Sequence, residues 1–194
     1  KPGLSTFFEK ESEAGASLQQ LIDFGKQHVP EKYQAKTPVI LSATAGLRML
    51  PKESANKILD SCYEYLKAHS PFKVERDQIQ LISGRDEGAF GWLSINFLMK
   101  RLKGMPDADK GTIGGVEMGG ASAQVTFLRQ GSASLESDQT YVLHVGDDTY
   151  PLYTHSYLGF GQEEARKKVN AALKEATVDP CMPKGYKRPE GKWE

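Results

Sequence analysis

A glycine-rich segment in the second half of the chain, Gly114 to Phe127, combines small residues with polar side chains that could bind an anion. Apolar and polar residues alternate after its paired glycines, which predicts a strand with Ser122 and Gln124 on its polar face. Gly119 and Gly120 would supply the positive φ angles of a tight hairpin, and their backbone N–H groups could approach an anion closely. The alternative is an ordinary glycine-rich hairpin whose polar residues face water.

An acidic pair, Asp86-Glu87, follows a predicted strand and a turn at Gly84, and it opens a predicted helix. A carboxylate at that position could orient a water molecule for attack. Acidic residues also complement the dipole at a helix N-terminus, so simple charge complementation is the alternative. Gly88 and Gly91 in the first turns would each cost the helix about 1 kcal/mol. Their presence therefore indicates close packing against another backbone or against a ligand.

A third segment, Ser42 to Arg48, lies between a predicted strand and a predicted helix, where α/β proteins place ligands. Thr44 offers a hydroxyl group, and Arg48 offers a permanent positive charge whose geometry suits phosphate. The alternative interpretation of this segment is a strand-to-helix turn that carries a surface arginine.

Candidate metal ligands are few. Glu117 precedes the glycine turn and would project where a cation that bridges phosphates could sit. The 4 histidines are scattered without HxH or HExxH spacing, so a histidine metal site is not expected. Cys62 and Cys181 lack CxxC spacing, which disfavours zinc. A disulfide between them would suit a secreted protein; alternatively, Cys62 is a small buried hydrophobe and Cys181 pairs with a partner beyond residue 194.

Helices and strands must position these segments, and the sequence predicts that the two alternate along the chain. Apolar residues at helical spacing predict helices from Ala14 to near Gly25, between Pro51 and Pro71, from about Glu87 to Arg101, and from Gln162 to Ala176. Short apolar or alternating runs predict strands at Val39–Leu41, at Ile79–Ile82, in a hairpin over residues 113–128, at Tyr141–Val145 and at Tyr150–Tyr153. This alternation predicts an α/β fold with its sites at strand ends.

The third predicted helix carries several large apolar side chains. Phe90, Leu93 and Phe97 recur at helical spacing and are predicted to form its apolar side. Trp92 in the same helix is predicted to be a packing residue of the core or of a contact between lobes.

Composition excludes several classes of protein. The 194 residues include 25 Lys plus Arg and 25 Asp plus Glu, so the formal net charge is zero. Such a chain has no broad basic surface for a phosphate backbone, and no nucleic-acid partner is expected. A hydrophobic content of 39% is enough to bury a core. No apolar run approaches the roughly 20 residues that cross a bilayer, so no membrane span is expected within this segment. Because lysine stands first, the sequence is expected to be a processed chain or an excerpt.

Four segments, taken in order, resemble the conserved regions of one family, the apyrases or ecto-nucleoside triphosphate diphosphohydrolases. They are Ala43-Thr44-Ala45-Gly46-Leu47-Arg48, Glu87-Gly88-Ala89-Phe90-Gly91-Trp92, Gly119-Gly120-Ala121-Ser122-Ala123-Gln124 and Ser156-Tyr157-Leu158-Gly159-Phe160-Gly161. The resemblance extends over nearly the whole chain, from Lys1 to Tyr186. Four ordered motifs make it far more specific than any one of them.

The resemblance implies an α/β fold of the actin-like, RNase H-like type, in which two related lobes bind a nucleotide between them. Residues 1–86 would complete the first lobe, and residues 87–194 would begin the second. The family's first phosphate-binding loop would then precede residue 1, and its base-stacking aromatic segment would follow residue 194. The chain is therefore expected to be the middle of an enzyme and to be inactive by itself.

The implied activity is divalent-metal-dependent hydrolysis of nucleoside tri- or diphosphates by base-activated water. Glu87 matches the catalytic base of the family. The matching phosphate-binding loop comprises Gly119, Gly120, Ala121, Ser122, Ala123 and Gln124. The matches to Thr44 and Arg48 line the same cleft near the terminal phosphate. Glu117 stands where the family usually has aspartate and would help to coordinate Ca²⁺ or Mg²⁺ through water.

Family members mostly act outside the cell or inside the secretory pathway. The resemblance therefore implies a secreted, cell-surface or ER/Golgi-lumenal location. Three alternatives share the superfamily: a non-hydrolytic nucleotide-binding or assembly protein of the actin type, a sugar or acetate kinase, and a polyphosphate hydrolase. The turn Arg85-Asp86-Glu87-Gly88, together with Trp92, favours the hydrolase because it resembles the apyrase pattern.

Overall fold

The computed structural model describes residues 3–129, 140–173 and 182–186. The α-helices in these ranges are α1 (Gln19–His28), α2 (Glu31–Gln34), α3 (Ala45–Arg48), α4 (Lys52–His69), α5 (Gly84–Leu98) and α6 (Gln162–Ala172). The strands are β1 (Leu41–Ala43), β2 (Ile79–Leu81), β3 (Gly115–Met118), β4 (Ser122–Leu128), β5 (Thr140–Val145) and β6 (Asp148–Leu158). Short 3₁₀ helices occupy Leu4–Phe7, Glu11–Glu13, Gly15–Leu18, Arg76–Gln78 and Ala108–Lys110.

The first part of the structure packs helices against a short parallel sheet. β1 pairs with β2 in parallel, with Leu41 opposite Ile79. Helix α4 contacts β2 and the 3₁₀ helix Gly15–Leu18, and Ile58 on α4 is completely buried. Burying an aliphatic side chain of this size contributes about 1.5–3 kcal/mol. The α4 stripe therefore anchors the sheet whose strand ends lead into α3 and α5.

Cys62 lies in this core as a free thiol with no exposed surface. Burial raises its pKa to about 11. The thiol is therefore neutral at physiological pH and packs as a small hydrophobe, as one of the two sequence interpretations predicts. Cys181 lies outside the described residues.

The second part is an antiparallel sheet with α5 across one face. Within the described residues its strand order is β3-β4-β6-β5. Trp92 on α5 is 1% exposed, and its ring lies 5.3 Å from that of Tyr150 on β6. Leu152 of β6 belongs to the same buried cluster. The predicted packing role of Trp92 is therefore confirmed.

The predicted apolar side of α5 is wrong. Phe90 and Phe97 are 45% and 59% exposed, whereas Leu93 is partly buried. The face that meets the sheet has Trp92 as its one large apolar side chain, beside the small Gly88 and Ala89 and the polar Asn96. Hydrophobic periodicity is dominated by large apolar side chains, and glycine contributes nothing to it. The pattern therefore selected the face with Phe90 and Phe97, which lies on the outside of the helix.

Several element boundaries differ from the sequence prediction: α1 is Gln19–His28, α5 ends at Leu98, and β6 extends over Asp148–Leu158. The first strand is Leu41–Ala43 rather than Val39–Leu41. Helix α5 begins at Gly84 rather than near Glu87, because the Ser83 hydroxyl accepts the Asp86 N–H while the Asp86 carboxylate accepts the Ser83 N–H. This capping box occupies two N–H groups that would otherwise lack partners. The predicted helix end at Ala176 lies outside the described residues.

Glycines bring α5 unusually close to the sheet. A Cβ atom at Gly88 would lie within 3.0 Å of the hydroxyl oxygens of Thr126 and Thr154, and one at Gly84 would overlap Ser156. The predicted close packing of α5 glycines is confirmed, although their neighbours are polar side chains of the sheet rather than a backbone or a ligand.

The polar face of β4 is buried beneath this helix. Ser122, Gln124 and Thr126 are between 1% and 2% exposed, and the Thr126 and Thr154 hydroxyls lie 2.8 Å apart in a hydrogen bond. The hypothesis that these polar residues face water is therefore wrong. Helix α5 packs closely over these side chains and excludes water from them. Buried polar groups of this kind therefore need hydrogen-bond partners within the protein.

Buried apolar side chains of the described residues form one cluster between Ala14 and Ile79 and another between Ala89 and Leu152. The division of the chain into lobes at residues 86 and 87 stays a prediction. Within the part of the chain that the structure describes, no helix has both the length and the apolar content to cross a membrane.

Candidate active site

A cleft of about 740 Å³ lies where the two parts of the structure meet. Its walls come from the 3₁₀ helix Leu4–Phe7, the end of β1 with α3, the first turn of α5, the turn between β3 and β4, and the beginning of α6. A separate cavity of about 370 Å³ beside α1 has an apolar lining apart from the hydroxyls of Thr37 and Ser70. The cleft, in contrast, contains carboxylates, hydroxyls and backbone amides, so it is the candidate site.

Most of the sequence-predicted residues meet in or directly behind this cleft. Its lining includes Thr44, Glu87, Gly119, Gly120, Ala121 and Ser122. Gln124 and Arg48 lie behind this lining and bind Glu87. Ala123 lies next to them on β4, whereas Glu117 is outside the cleft lining.

Glu87 is held through one of its two carboxylate oxygens. Its Oε2 accepts a hydrogen bond from Nη2 of Arg48 at 2.7 Å and another from Nε2 of Gln124 at 3.1 Å. The side chain is 14% exposed. Among the described residues, Oε1 has no hydrogen-bond donor. One oxygen is therefore committed to the protein, and the other is free to act on a molecule in the cleft.

Gln124 connects Glu87 to two hydroxyl groups. Its Nε2 lies 2.7 Å from Oγ of Ser122 and 2.9 Å from Oγ of Ser156. An amide nitrogen has two hydrogens, so it cannot donate to these two oxygens and to Glu87 at the same time. Its Oε1 is buried and lacks a partner among the described residues. Such an unpaired buried group costs about 1–3 kcal/mol.

The β3–β4 turn presents backbone N–H groups while its carbonyls are occupied. The N–H groups of Gln162 and Glu163, at the start of α6, donate to the carbonyls of Gly119 and Gly120 at 2.8 and 2.9 Å. Within the described residues, the N–H groups of Gly120 and Ala121 have no acceptor. Since α6 fixes the carbonyl side of the turn, these amides are preorganised for an anion.

The predicted reason for the two glycines of this turn is wrong. Neither Gly119 nor Gly120 has a positive φ angle. A Cβ atom at Gly120 would lie 3.2 Å from the carboxyl carbon of Glu163, which is the end of a flexible side chain. A Cβ at Gly161 would overlap the turn backbone itself. Close packing of the turn against the start of α6 therefore requires a glycine at position 161.

Glu117 lies opposite Gln124 in the β3–β4 pairing, on the side of α5. Although the residue is exposed overall, a Cβ atom at Gly91 of α5 would lie 2.9 Å from its Oε2. Partial burial there, and secondarily the charge of Glu87, raises the pKa of Glu117. A cation between the two carboxylates would relieve this repulsion. Within the described ranges, no group of three or more His, Cys, Asp or Glu side chains is arranged to hold a metal ion.

Sequence patterns missed three features of the site. The Arg48–Glu87 ion pair joins residues that are 39 positions apart, and no local pattern predicts it. Ser156 appears in the fourth motif, but nothing in that motif indicates its hydrogen bond to Gln124. The support of the β3–β4 turn by α6 depends on tertiary packing, although Gly161 before the helix was a potential signal.

The fold has a counterpart among solved structures. The structure matches the crystal structure of nucleoside triphosphate hydrolases from Neospora caninum with a TM-score of 0.64 and 23% sequence identity, over 85% of this chain and 33% of that chain. This likeness confirms the predicted α/β, actin-like fold class.

The family follows from the sequence itself. The model of the GDA1/CD39 (nucleoside phosphatase) family matches residues 1–192, so this chain belongs to that family. It is 39% identical over 193 residues to Ectonucleoside triphosphate diphosphohydrolase 5 of Bos taurus and 38% identical to Nucleoside diphosphate phosphatase ENTPD5 of Homo sapiens. Each match covers 95% of this chain and 44% of the relative, so the chain spans less than half of these curated relatives. The predicted family is confirmed.

Proposed function

We propose that this protein hydrolyses nucleoside tri- and/or diphosphates and releases phosphate by direct attack of water. One observation carries the proposal: Glu87 lines the same cleft as Gly120 and Ala121, whose N–H groups have no acceptor among the described residues. The names of the relatives, a triphosphate diphosphohydrolase and a diphosphate phosphatase, support the same substrate class.

Glu87 is the proposed general base. A water between its Oε1 and the terminal phosphorus would transfer a proton to the carboxylate as its oxygen attacks in line with the leaving oxygen. The P–O bond to the rest of the nucleotide breaks, the shortened nucleotide leaves with the bridging oxygen and its electron pair, and the attacked phosphoryl group becomes inorganic phosphate. Phosphoryl transfer needs positioning more than covalent chemistry, so one well-oriented carboxylate suits this step.

The β3–β4 turn is the proposed phosphate-binding loop. The N–H groups of Gly120 and Ala121 would stabilise charge on the transferred phosphoryl oxygens, and the Ser122 hydroxyl would add a donor. Thr44, across the cleft, would contact the same terminal phosphate. Ala123 and Gln124 would support the loop from behind, with Gln124 also fixing Glu87.

The proposed cofactor is Ca²⁺ or Mg²⁺. The donors present fit such a hard cation, because it commonly takes one or two carboxylates and completes its shell with water and substrate phosphates. Glu117 would hold it through water, next to the charge of Glu87. When bound, a divalent cation neutralises negative charge on the phosphate oxygens. The proposed location is secreted, cell-surface or within the ER/Golgi lumen, by similarity to the family.

Phosphate release by the full-length protein tests the proposal. Di- and triphosphates of each nucleoside would be supplied with Ca²⁺ or Mg²⁺, and Glu87→Gln would be compared with the wild type. Loss of the base should lower kcat by about 10²–10⁴-fold while binding of a non-hydrolysable nucleotide analogue is kept. Glu53→Gln, on the exposed surface of α4, is the matched carboxylate control and should not change kcat. Unchanged turnover in Glu87→Gln would remove Glu87 from the mechanism.

A further inference from the structure

We propose that Arg48 is a positioning residue that fixes the orientation of the Glu87 carboxylate, rather than a ligand of the substrate phosphate. The inference rests on the proposed function, because it concerns how Glu87 is prepared to act as the base. It differs from the expectation that the family resemblance gives, in which Arg48 lines the cleft near the terminal phosphate.

Arg48 is itself firmly anchored. It is the last residue of α3, and its Nη1 donates to the carbonyl oxygen of Ile82 at 3.0 Å. Ile82 directly follows β2, and its N–H donates to the carbonyl of Ala43 at the end of β1. The guanidinium is thus bound to the end of the parallel sheet, where Ala43 belongs to the first buried cluster.

The opposite end of the guanidinium holds Glu87. Nη2 donates to Oε2 of Glu87 at 2.7 Å and lies 3.4 Å from Oγ of Ser122. Gln124 donates to the same carboxylate oxygen from the sheet. Rotation about the last bond of a glutamate side chain is soft, so an unrestrained carboxylate would sample many orientations. Two donors on Oε2 remove that freedom and leave Oε1 as the oxygen that meets the attacking water.

The geometry leaves Arg48 little capacity for phosphate. Both of its terminal nitrogens have protein acceptors, and its side chain is 14% exposed. Arg48 is also absent from the residues that line the cleft, although Glu87 is among them. A move of the guanidinium toward a phosphate would break its bond to Glu87 and leave a mostly buried carboxylate without its ion-pair partner.

The test compares Arg48→Lys and Arg48→Ala with wild type in the full-length protein. A positioning role predicts a fall in kcat of about 10–100-fold in Arg48→Ala, since small misplacements of a catalytic group cost about that much. KM and the Kd of a non-hydrolysable nucleotide analogue should stay within about twofold, a split that marks lost transition-state positioning. Arg48→Lys should recover part of kcat, and added guanidinium ion should partly rescue Arg48→Ala.

Arg76→Ala is the matched control for Arg48→Ala. Arg76 also donates to a carbonyl of β2, that of Ile79, and to a carboxylate, that of Asp60, but on the far side from the cleft. It should lose some stability without a change in kcat, which separates a general effect of breaking an arginine ion pair from an effect on Glu87. Thermal unfolding of every variant reports whether the fold is kept.

The outcomes distinguish this inference from the proposed function. If Glu87→Gln is inactive but the Arg48 variants keep kcat, or lose affinity for the analogue by tenfold or more, the positioning role is wrong while the hydrolase proposal stands. If Glu87→Gln retains full turnover, the base assignment and the positioning role are both wrong; if the wild type releases no phosphate from any nucleotide, the hydrolase proposal is wrong. Reduced kcat with unchanged analogue affinity and guanidinium rescue supports the positioning role.

Discussion

Gly88→Ala is a sharp test of how α5 positions the candidate base. The added methyl group would lie within 3.0 Å of the Thr126 and Thr154 hydroxyls, which hydrogen bond to each other at 2.8 Å beneath the helix. Either the hydroxyls separate or α5 moves away from the sheet. Because Glu87 is the preceding residue on α5, any helix displacement moves the carboxylate with it.

Three contributions determine how Gly88→Ala changes the free energy of unfolding. Alanine is a better helix former than glycine by about 1 kcal/mol. Overpacking a tight interface costs about 1–3 kcal/mol, and leaving a buried hydroxyl without its partner costs about 1–3 kcal/mol more. We therefore expect Gly88→Ala to be destabilising by about 1–5 kcal/mol in total. A shift of Glu87 by about 1 Å would further lower kcat by about 100-fold.

Gly91→Ala on the same helix is the control. Its Cβ would meet Oε2 of Glu117, the end of a flexible side chain that can move aside. This variant should gain helix propensity and keep or raise the melting temperature, measured by differential scanning calorimetry beside phosphate release. If Gly88→Ala matches Gly91→Ala in both stability and kcat, then the close α5–sheet contact does not position Glu87.

Three further predictions concern titratable groups. Cys62, whose pKa is raised to about 11 by burial, should resist alkylation at pH 8 in the folded protein and react fully in denaturant, as peptide mass spectrometry would show. Burial alone would raise the pKa of Asp86, but hydrogen bonds from Ser83 and Tyr141 outweigh it and the pKa is lowered. Its stabilisation is therefore present above about pH 4 and lost as pH falls further, so the stability gap to Asp86→Asn should shrink below that pH. The pKa of Glu117, followed by NMR, should fall in Glu87→Gln but stay above its ordinary value, because burial is its larger cause.

Much of the fold follows from local sequence patterns. The long apolar stripe of α4 and the alternation within β4 specify a helix and a strand without help from the rest of the chain. The sequence at the start of α5 contains a capping box, formed by Ser83 and Asp86. The prediction instead placed the start of the helix near Glu87, because it relied on the acidic pair. Local signals of this kind locate elements well and their ends less well.

Local sequence patterns do not predict how the residues of the site pack against one another. The buried face of α5 carries Gly88, Ala89 and Asn96 beside Trp92, which gives a weak apolar signal, so the exposed Phe90 and Phe97 were mistaken for it. Gly161 must be small because it packs against the backbone of the β3–β4 turn, which is a tertiary requirement. The motif positions of Glu87 and Arg48 could be identified from the sequence, but the bond between their side chains could not.

A crystal structure of the full-length protein with a non-hydrolysable nucleotide and Ca²⁺ or Mg²⁺ is the most direct measurement. The account predicts that the terminal phosphate lies within about 3 Å of the Gly120 and Ala121 amides, with a water between the phosphorus and Oε1 of Glu87. A terminal phosphate bound away from this turn, or a Glu87 carboxylate that faces no water near the phosphorus, would contradict it.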